Sequence, residues 1–416
     1  MPELPEPEAV STARRKLDHV RINLEEAVGS QLTSGLERFR FRHRALPELD
    51  LNEVSTAGHF LGVAFAAPLL ISSMTGGAAG LGQVNLRLAE AAQAHGIAMG
   101  VGSQRAALES GPRMSGVPES GSQMSGLRES GPRLSGPRKS GSQMSGPREL
   151  DPRASDPRAS DLLGADALAA SFRIRSVAPD ILLLANLGAV QLNYGFGVDA
   201  FRRAVAMIEA DALILHLKPL QEALQPEGNT RWGGLLGHME KLVAELARDG
   251  IPVVAKEVGW GIGPEDARRL GDIGVAAIDV AGAGGTSWSE VEKHRAPSQA
   301  GRRIAGAFAG WGIPTADSLR MVRLAVPGLP VIASGGLRDG LDVAKVLALG
   351  ASMAGLAGPF LRAAAESTEA VAEAIEVLVQ TLRIAMFAVG ARDLAALCDS
   401  PALVELAAGG QDPGVL

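Results

Sequence analysis

Ala212-Leu-Ile-Leu-His216-Leu-Lys218-Pro-Leu-Gln221-Glu222-Ala-Leu-Gln225-Pro-Glu227-Gly-Asn229 is an apolar run that turns abruptly polar. Residues 212–215 have the length and unbroken apolarity of a strand buried on both faces. An imidazole, an ammonium, amides and carboxylates follow at once. In parallel α/β folds chemistry is placed beyond the C-terminal ends of the strands. The stretch therefore predicts a parallel sheet and marks the end of it that carries the site.

Similar apolar runs occur at residues 68–73, 97–101, 181–186, 252–257, 275–280, 330–334 and 352–357. Between them lie amphipathic helical patterns at 82–94, 200–209, 236–248, 264–270, 316–324 and 341–349. Eight strands alternating with helices predict a (β/α)8 TIM barrel over residues 68–400. It carries an N-terminal extension (1–67) that contributes to the site and a C-terminal tail (401–416). A doubly wound open sheet is the alternative, disfavoured because polar or glycine-rich residues follow nearly every strand.

One region breaks the alternation. Residues 109–158 repeat a five-residue unit with Ser-Gly in most copies and Pro-Arg in many. With few large apolar side chains, it cannot offset the roughly 1–2 kcal/mol per residue lost on ordering a backbone. It reads as a disordered low-complexity insertion in the loop between the second strand and its helix (162–177).

The chain of 416 residues is long enough for a large core, and its formal net charge of −6 gives no basic field to attract nucleic acid or an anionic membrane. One cysteine, Cys398 in the apolar Ala-Ala-Leu-Cys setting, excludes an internal disulfide framework and reads as a small core residue. The acidic, proline-rich start is unlike a signal peptide, and no apolar run is long enough to span a membrane. A cytoplasmic protein is the expectation.

Several strand ends have the makings of a cofactor site. Ser72-Ser73-Met74-Thr75-Gly-Gly offers hydroxyl and N–H groups after the first strand. Ser334-Gly335-Gly336-Leu-Arg338 and Ala357-Gly358-Pro-Phe360 follow the seventh and eighth strands, where barrels commonly hold a phosphate at a helix N-terminus. Lys256 closes the fifth strand, either as an ion-pair partner of Glu257 or as a cation beside a flavin ring. The segment from Asp279 to about Trp311 lacks clear periodicity and reads as a candidate lid. Near the N-terminus, Arg14-Arg15-Lys16-Leu-Asp-His19 is either a solvated helix face or a clamp for an anionic substrate.

Together these motifs resemble type II isopentenyl-diphosphate isomerase, the flavin-dependent form. The matching pieces are Arg15-Lys16-x-x-His19, Phe41-x-His43-x-Ala45-Leu-Pro-Glu48, Pro68 to Gly77, Gly102-Ser103-Gln104-Arg105 and His216-x-x-x-x-Gln221-Glu222. Lys256-Glu-Val-Gly259, Gly282-x-Gly-Gly-Thr286-Ser-Trp288 and Ser334-Gly-Gly-x-Arg338 complete the ordered set. The resemblance implies an FMN-binding barrel that interconverts isopentenyl and dimethylallyl diphosphate. It further implies NADPH to keep the flavin reduced, Mg²⁺, and a homo-oligomer, tetrameric or larger. By motif, Ser73, Met74, Thr75, Ser103, Asn186, Lys256, Thr286, Gly335, Gly336, Ala357 and Gly358 would contact FMN. Arg15, Lys16, Gln104, Arg105 and Gln221 would contact substrate, with Gln221 and His216 catalytic. Glu222 would bind Mg²⁺.

The chain departs from the family pattern twice. Lys218 stands where the family usually has asparagine, and Asn229 where it commonly has aspartate. These departures predict altered diphosphate or metal affinity. They also keep open a catalytically impaired flavin-binding homologue, beside the other alternative of an FMN barrel such as a 2-hydroxy-acid oxidase.

Overall fold

A computed structural model describes residues 8–74, 81–109 and 168–407. Thr75, the repeat beyond Glu109, residues 162–167 of the helix expected at 162–177, and the end of the tail lie outside the described residues.

Ahead of the barrel come a helix (Glu8–Glu25) and three short strands, β1 (Phe39–Phe41), β2 (Gly58–Phe60) and β3 (Val63–Phe65). The barrel strands are β4 (Leu69–Ile71), β5 (Ala98–Gly100), β6 (Leu183–Gly188), β7 (Ala212–His216), β8 (Val253–Lys256), β9 (Ala277–Asp279), β10 (Val331–Ser334) and β11 (Met353–Leu356). All eight are parallel and follow one another in chain order around a closed barrel, because β11 pairs back onto β4. That closure excludes the doubly wound alternative. A last strand, β12 (Leu403–Glu405), pairs antiparallel with β1, tying the C-terminal segment to the N-terminal extension.

The strands are apolar on both sides because each packs inward on the barrel interior and outward on helices. Leu70, Leu184, Ile214, Val254, Ala277, Ile332 and Met353 fill the interior as one buried cluster. Phe60 and Phe65, from the β2–β3 hairpin, belong to that cluster and plug the N-terminal end of the barrel. The outer ring includes the 22-residue helix Thr368–Val389, which buries Val371, Ile375, Leu378, Leu382, Met386 and Val389 at three- and four-residue spacing. The Ser367 hydroxyl accepts from the Ala370 N–H and caps its start.

Two expectations need correction. The segment after β9 is not aperiodic, since it folds into helices Trp288–Arg295 and Gln299–Gly306. Cys398 is exposed rather than in the core, for the short helix before it buries only Leu397. No described helix is long and apolar enough to cross a membrane.

Candidate active site

Side chains on a strand alternate between faces, so the residues two beyond the interior layer form the next ring toward the mouth. They are Ser72, Gly100, Asn186, His216, Lys256, Asp279, Ser334 and Gly355. Every one is polar or glycine, whereas the layer beneath is apolar. The floor of the mouth is thus set by a period-two pattern running through eight separate strands.

Two linked groups occupy this ring. Strand register places Lys256 between His216 and Asp279. Its ammonium lies 2.7 Å from the Asp279 carboxylate and donates to Ser334 Oγ at 3.2 Å, while Ser334 Oγ donates to Asp279 at 2.6 Å. Asp279, and not Glu257, is therefore the ion-pair partner of Lys256. Glu257 points the other way and accepts the N–H groups of Val258, Gly259 and Trp260 at 2.6–2.7 Å. Burial pushes its carboxyl up to about 7, against the pull of those three donors. Removing one member of a buried pair such as Lys256–Asp279 costs about 3–5 kcal/mol. In the second group His216 Nδ1 is 2.7 Å from Asn186 Oδ1. Burial, then the charges of Lys218, Lys16, Lys256 and Arg15, hold the imidazole well below its usual range. It is neutral, with Nδ1–H donating to Asn186 and a lone pair on Nε2.

Above the ring lies a cavity of about 610 Å³. Ser73, Met74, Lys256 and Thr286 line it, as do Gly335, Gly336, Ala357 and Gly358. Ser103 and Asn186, the other described residues expected at a flavin, are not in its wall. Gly335 and Gly336 have φ of +102° and +77°, and a Cβ on Gly335 would stand 2.1 Å from the Gly282 carbonyl oxygen. The turn after β10 is therefore folded tightly against the turn after β9, and only glycine fits. Helix Gly358–Glu366 opens onto the same end without a side-chain cap, between Arg338 and Arg362. Uncapped N–H groups, glycine backbone and two guanidiniums make an anion cradle. Deeper in, the Ser72 and Ser73 hydroxyls are buried without a hydrogen-bond partner among the described residues. An anion cradle at one end, orphaned hydroxyls and a buried ammonium at the other fit the phosphate and polar ring edge of FMN.

The remaining expected residues gather in a polar cluster beside that cavity. The helix Glu8–Glu25 places Arg15 3.8 Å from Glu227, and Lys16 donates to the Ser103 carbonyl beneath the Phe172 ring. Burial, then Arg15 and Lys218, push Lys16 down to about 7. Burial also lowers the Lys218 ammonium and the Arg15 guanidinium. Arg105 pairs with Glu109 and donates to Asn229 Oδ1, both at 2.6 Å. Gln104 is fully buried and committed elsewhere: its Oε1 accepts from the Asn186 N–H and its Nε2 donates to the Ala204 carbonyl. In this geometry it staples the β5 loop to β6 and presents no group to a ligand.

Glu292 is a buried carboxylate of this cluster that the sequence did not reveal. One carboxylate oxygen accepts from His19, Gln221 and Gln225 at 3.0, 2.9 and 2.6 Å, and the other pairs with Arg295 at 2.6 Å. Burial opposes its ionisation, yet these donors hold it at about 2. His19 also lines the cavity, edge-on to Trp288, so Glu292 couples the polar cluster to the cavity wall.

Residues 238–405 match the family model of FMN-dependent dehydrogenases. Solved structures with this architecture include a mandelate oxidase bound to (S)-2-phenylpropionate (TM-score 0.53, 19% identity, 94% of this chain and 96% of that one). A flavocytochrome b2 also aligns (0.52, 16%, 93% and 82%). At such identities they report the fold alone. Barrel, cradle and family match together define an FMN-dependent (β/α)8 barrel protein. Much nearer in sequence are curated isopentenyl-diphosphate delta-isomerases. That of Nostoc sp. is 45% identical over 96% of this chain and 98% of its own length. That of Stutzerimonas stutzeri is 47% identical over 93% and 96%. The chain belongs to the isopentenyl-diphosphate delta-isomerase family.

Proposed function

We propose that this protein interconverts isopentenyl and dimethylallyl diphosphate, with reduced FMN resident in the cavity above the polar ring. The observation that carries the reading is that eight of the ten described flavin-type positions line one cavity, with the cationic positions in the cluster beside it. Net, the reaction adds a proton to the terminal alkene carbon and removes one from the carbon next to the diphosphate-bearing carbon. When bound, reduced FMN supplies an electron-rich ring and an exchangeable proton close to that alkene.

The chain's own residues do the rest. Gly335, Gly336 and the start of helix Gly358–Glu366 would hold the phosphate of FMN. Lys256, fixed by Asp279, would supply a cation to the bound ring and favour its anionic form. Arg15, Lys16 and Lys218 hold the diphosphate, whose binding energy positions a hydrocarbon with no polar handle of its own. Gln221, oriented by Glu292, and neutral His216 fix the geometry between the two halves of the site. His19, Trp288 and Val20 wall the alkene from water. NADPH belongs to this reading as the reductant, without net consumption per turnover. So do a cytoplasmic setting and a homo-oligomer, tetrameric or larger, for which exposed Ile304, Trp311 and Leu324 offer apolar contact.

Mg²⁺ at Glu222, which the family resemblance implies, does not fit the residues present. Magnesium demands a near-octahedral set of oxygens. One oxygen of Glu222 is 2.8 Å from Lys218 Nζ, and the other accepts the Asn229 N–H at 2.6 Å.

Anaerobic incubation with FMN, NADPH and isopentenyl diphosphate, run with and without Mg²⁺, is expected to yield dimethylallyl diphosphate. No product under reducing conditions overturns the proposal. Flavin reduction by a 2-hydroxy acid without NADPH supports the oxidase alternative instead.

A further inference from the structure

We propose that Lys218 is a tethered cation that takes the place of a divalent metal at Glu222, so that the site binds a diphosphate without one. The inference rests on the isomerase reading for the identity of the substrate, but not for its geometry.

Three observations support it. First, the ammonium is built in. Lys218 precedes the helix Pro219–Leu224, and its Nζ reaches one turn forward to Glu222 at 2.8 Å. Both side chains are largely buried, at 16% and 4% exposure, so the pair is not a solvated surface contact. Second, the remaining oxygens of the site are spoken for. A Cβ at Gly228 would stand 1.7 Å from the Glu222 carbonyl oxygen, so the turn at 225–229 closes directly onto the helix end. That approach delivers the Asn229 N–H to the second Glu222 oxygen. Asn229 Oδ1 meanwhile accepts from Arg105 and Gln191 at 2.6 and 3.1 Å. A metal at Glu222 would have to displace the ammonium from one oxygen and compete with the Asn229 N–H at the other.

Third, the ammonium stands among the cationic groups of the cluster. The ammonium faces Arg15 and Lys16 across the pocket, so its charge is shared with the groups that would meet the diphosphate. A lysine is a point charge with rotatable donors and binds phosphate oxygens in that role.

The test uses the FMN-loaded full-length protein and inorganic pyrophosphate as probe. Pyrophosphate binding is measured calorimetrically in excess EDTA and in millimolar Mg²⁺, and Mn²⁺ binding is followed by loss of the free-ion EPR signal. The expected result is pyrophosphate affinity within about twofold between the two conditions and no Mn²⁺ bound through Glu222. Lys218→Asn and Lys218→Met should each lose at least tenfold in affinity in EDTA. Lys218→Asn should regain affinity with Mg²⁺ and bind Mn²⁺ in a way that Glu222→Gln abolishes. If the parent protein binds pyrophosphate only with Mg²⁺, or holds Mn²⁺ in a Glu222-dependent way, the tethered-cation proposal is overturned while the isomerase reading stands. If pyrophosphate binds under neither condition, the tethered-cation proposal is overturned, and the isomerase reading is decided by the turnover assay alone.

Discussion

Lys16 shows what a crowded cationic pocket costs the empty protein. Burial, Arg15 and Lys218 lower its pKa from 10.5 to about 7. Between those values the unfolded chain carries a proton that the folded chain has released, so stability rises with pH across that window; below about 7 the penalty is full. The effect is of the order of a few kcal/mol. Lys16→Met removes it. Without a diphosphate ligand the variant should be more stable than its parent at pH 6.5, and denaturant unfolding should show that advantage shrinking steadily towards pH 10. An advantage that does not change with pH would refute the assignment. A polyanion entering the pocket replaces mutual repulsion by attraction, so the strain in the empty site favours occupancy.

Among the elements, the glycine turn after β10 is the least tolerant of change. Gly335→Ala must keep a φ of +102° and place a Cβ 2.1 Å from a carbonyl oxygen. Strain of about 1–3 kcal/mol from the backbone alone, plus the clash, should move the turn off β9. Flavin content, read as the ratio of visible to protein absorbance, should collapse while far-UV circular dichroism stays near the parent's. Full flavin retention would mean that the cradle lies elsewhere. The strands were legible in the sequence because burial on both faces leaves an unbroken apolar run, and all eight were located. Helix Trp288–Arg295 was not, because it buries Ser289, Glu290 and Glu292 and so lacks the apolar stripe by which helices are recognised. Glu292 was hidden for the same reason. Of the two alternatives for Lys256, the ion pair with Glu257 fails because the partner lies across the sheet: Glu257 is on the opposite face, and Asp279 is the neighbour on the next strand. Gln104 was placed at the substrate by motif alone, and its neighbours in space were not deducible from its neighbours in sequence.

At the scale of the whole molecule, the N-terminal segment completes the mouth. Ser30 N–H donates to the Gly285 carbonyl and Ser287 N–H to the Val28 carbonyl, both at 2.8 Å, while Ile22 and Val28 pack on Val291. Deleting residues 1–30 removes Arg15, Lys16 and His19 but leaves the glycine cradle and the Lys256–Asp279 pair. The truncated protein should retain FMN and lose isopentenyl diphosphate turnover by several orders of magnitude; turnover near the parent's would exclude this segment from the site. At the opposite end, the β2–β3 hairpin seals the barrel with Phe60 and Phe65. A cork there leaves the ring no back door among the described residues. Under the proposed function, reductant and alkene would then reach the ring from the same side, and the molecule that primes the flavin would compete for the space in which the primed flavin acts.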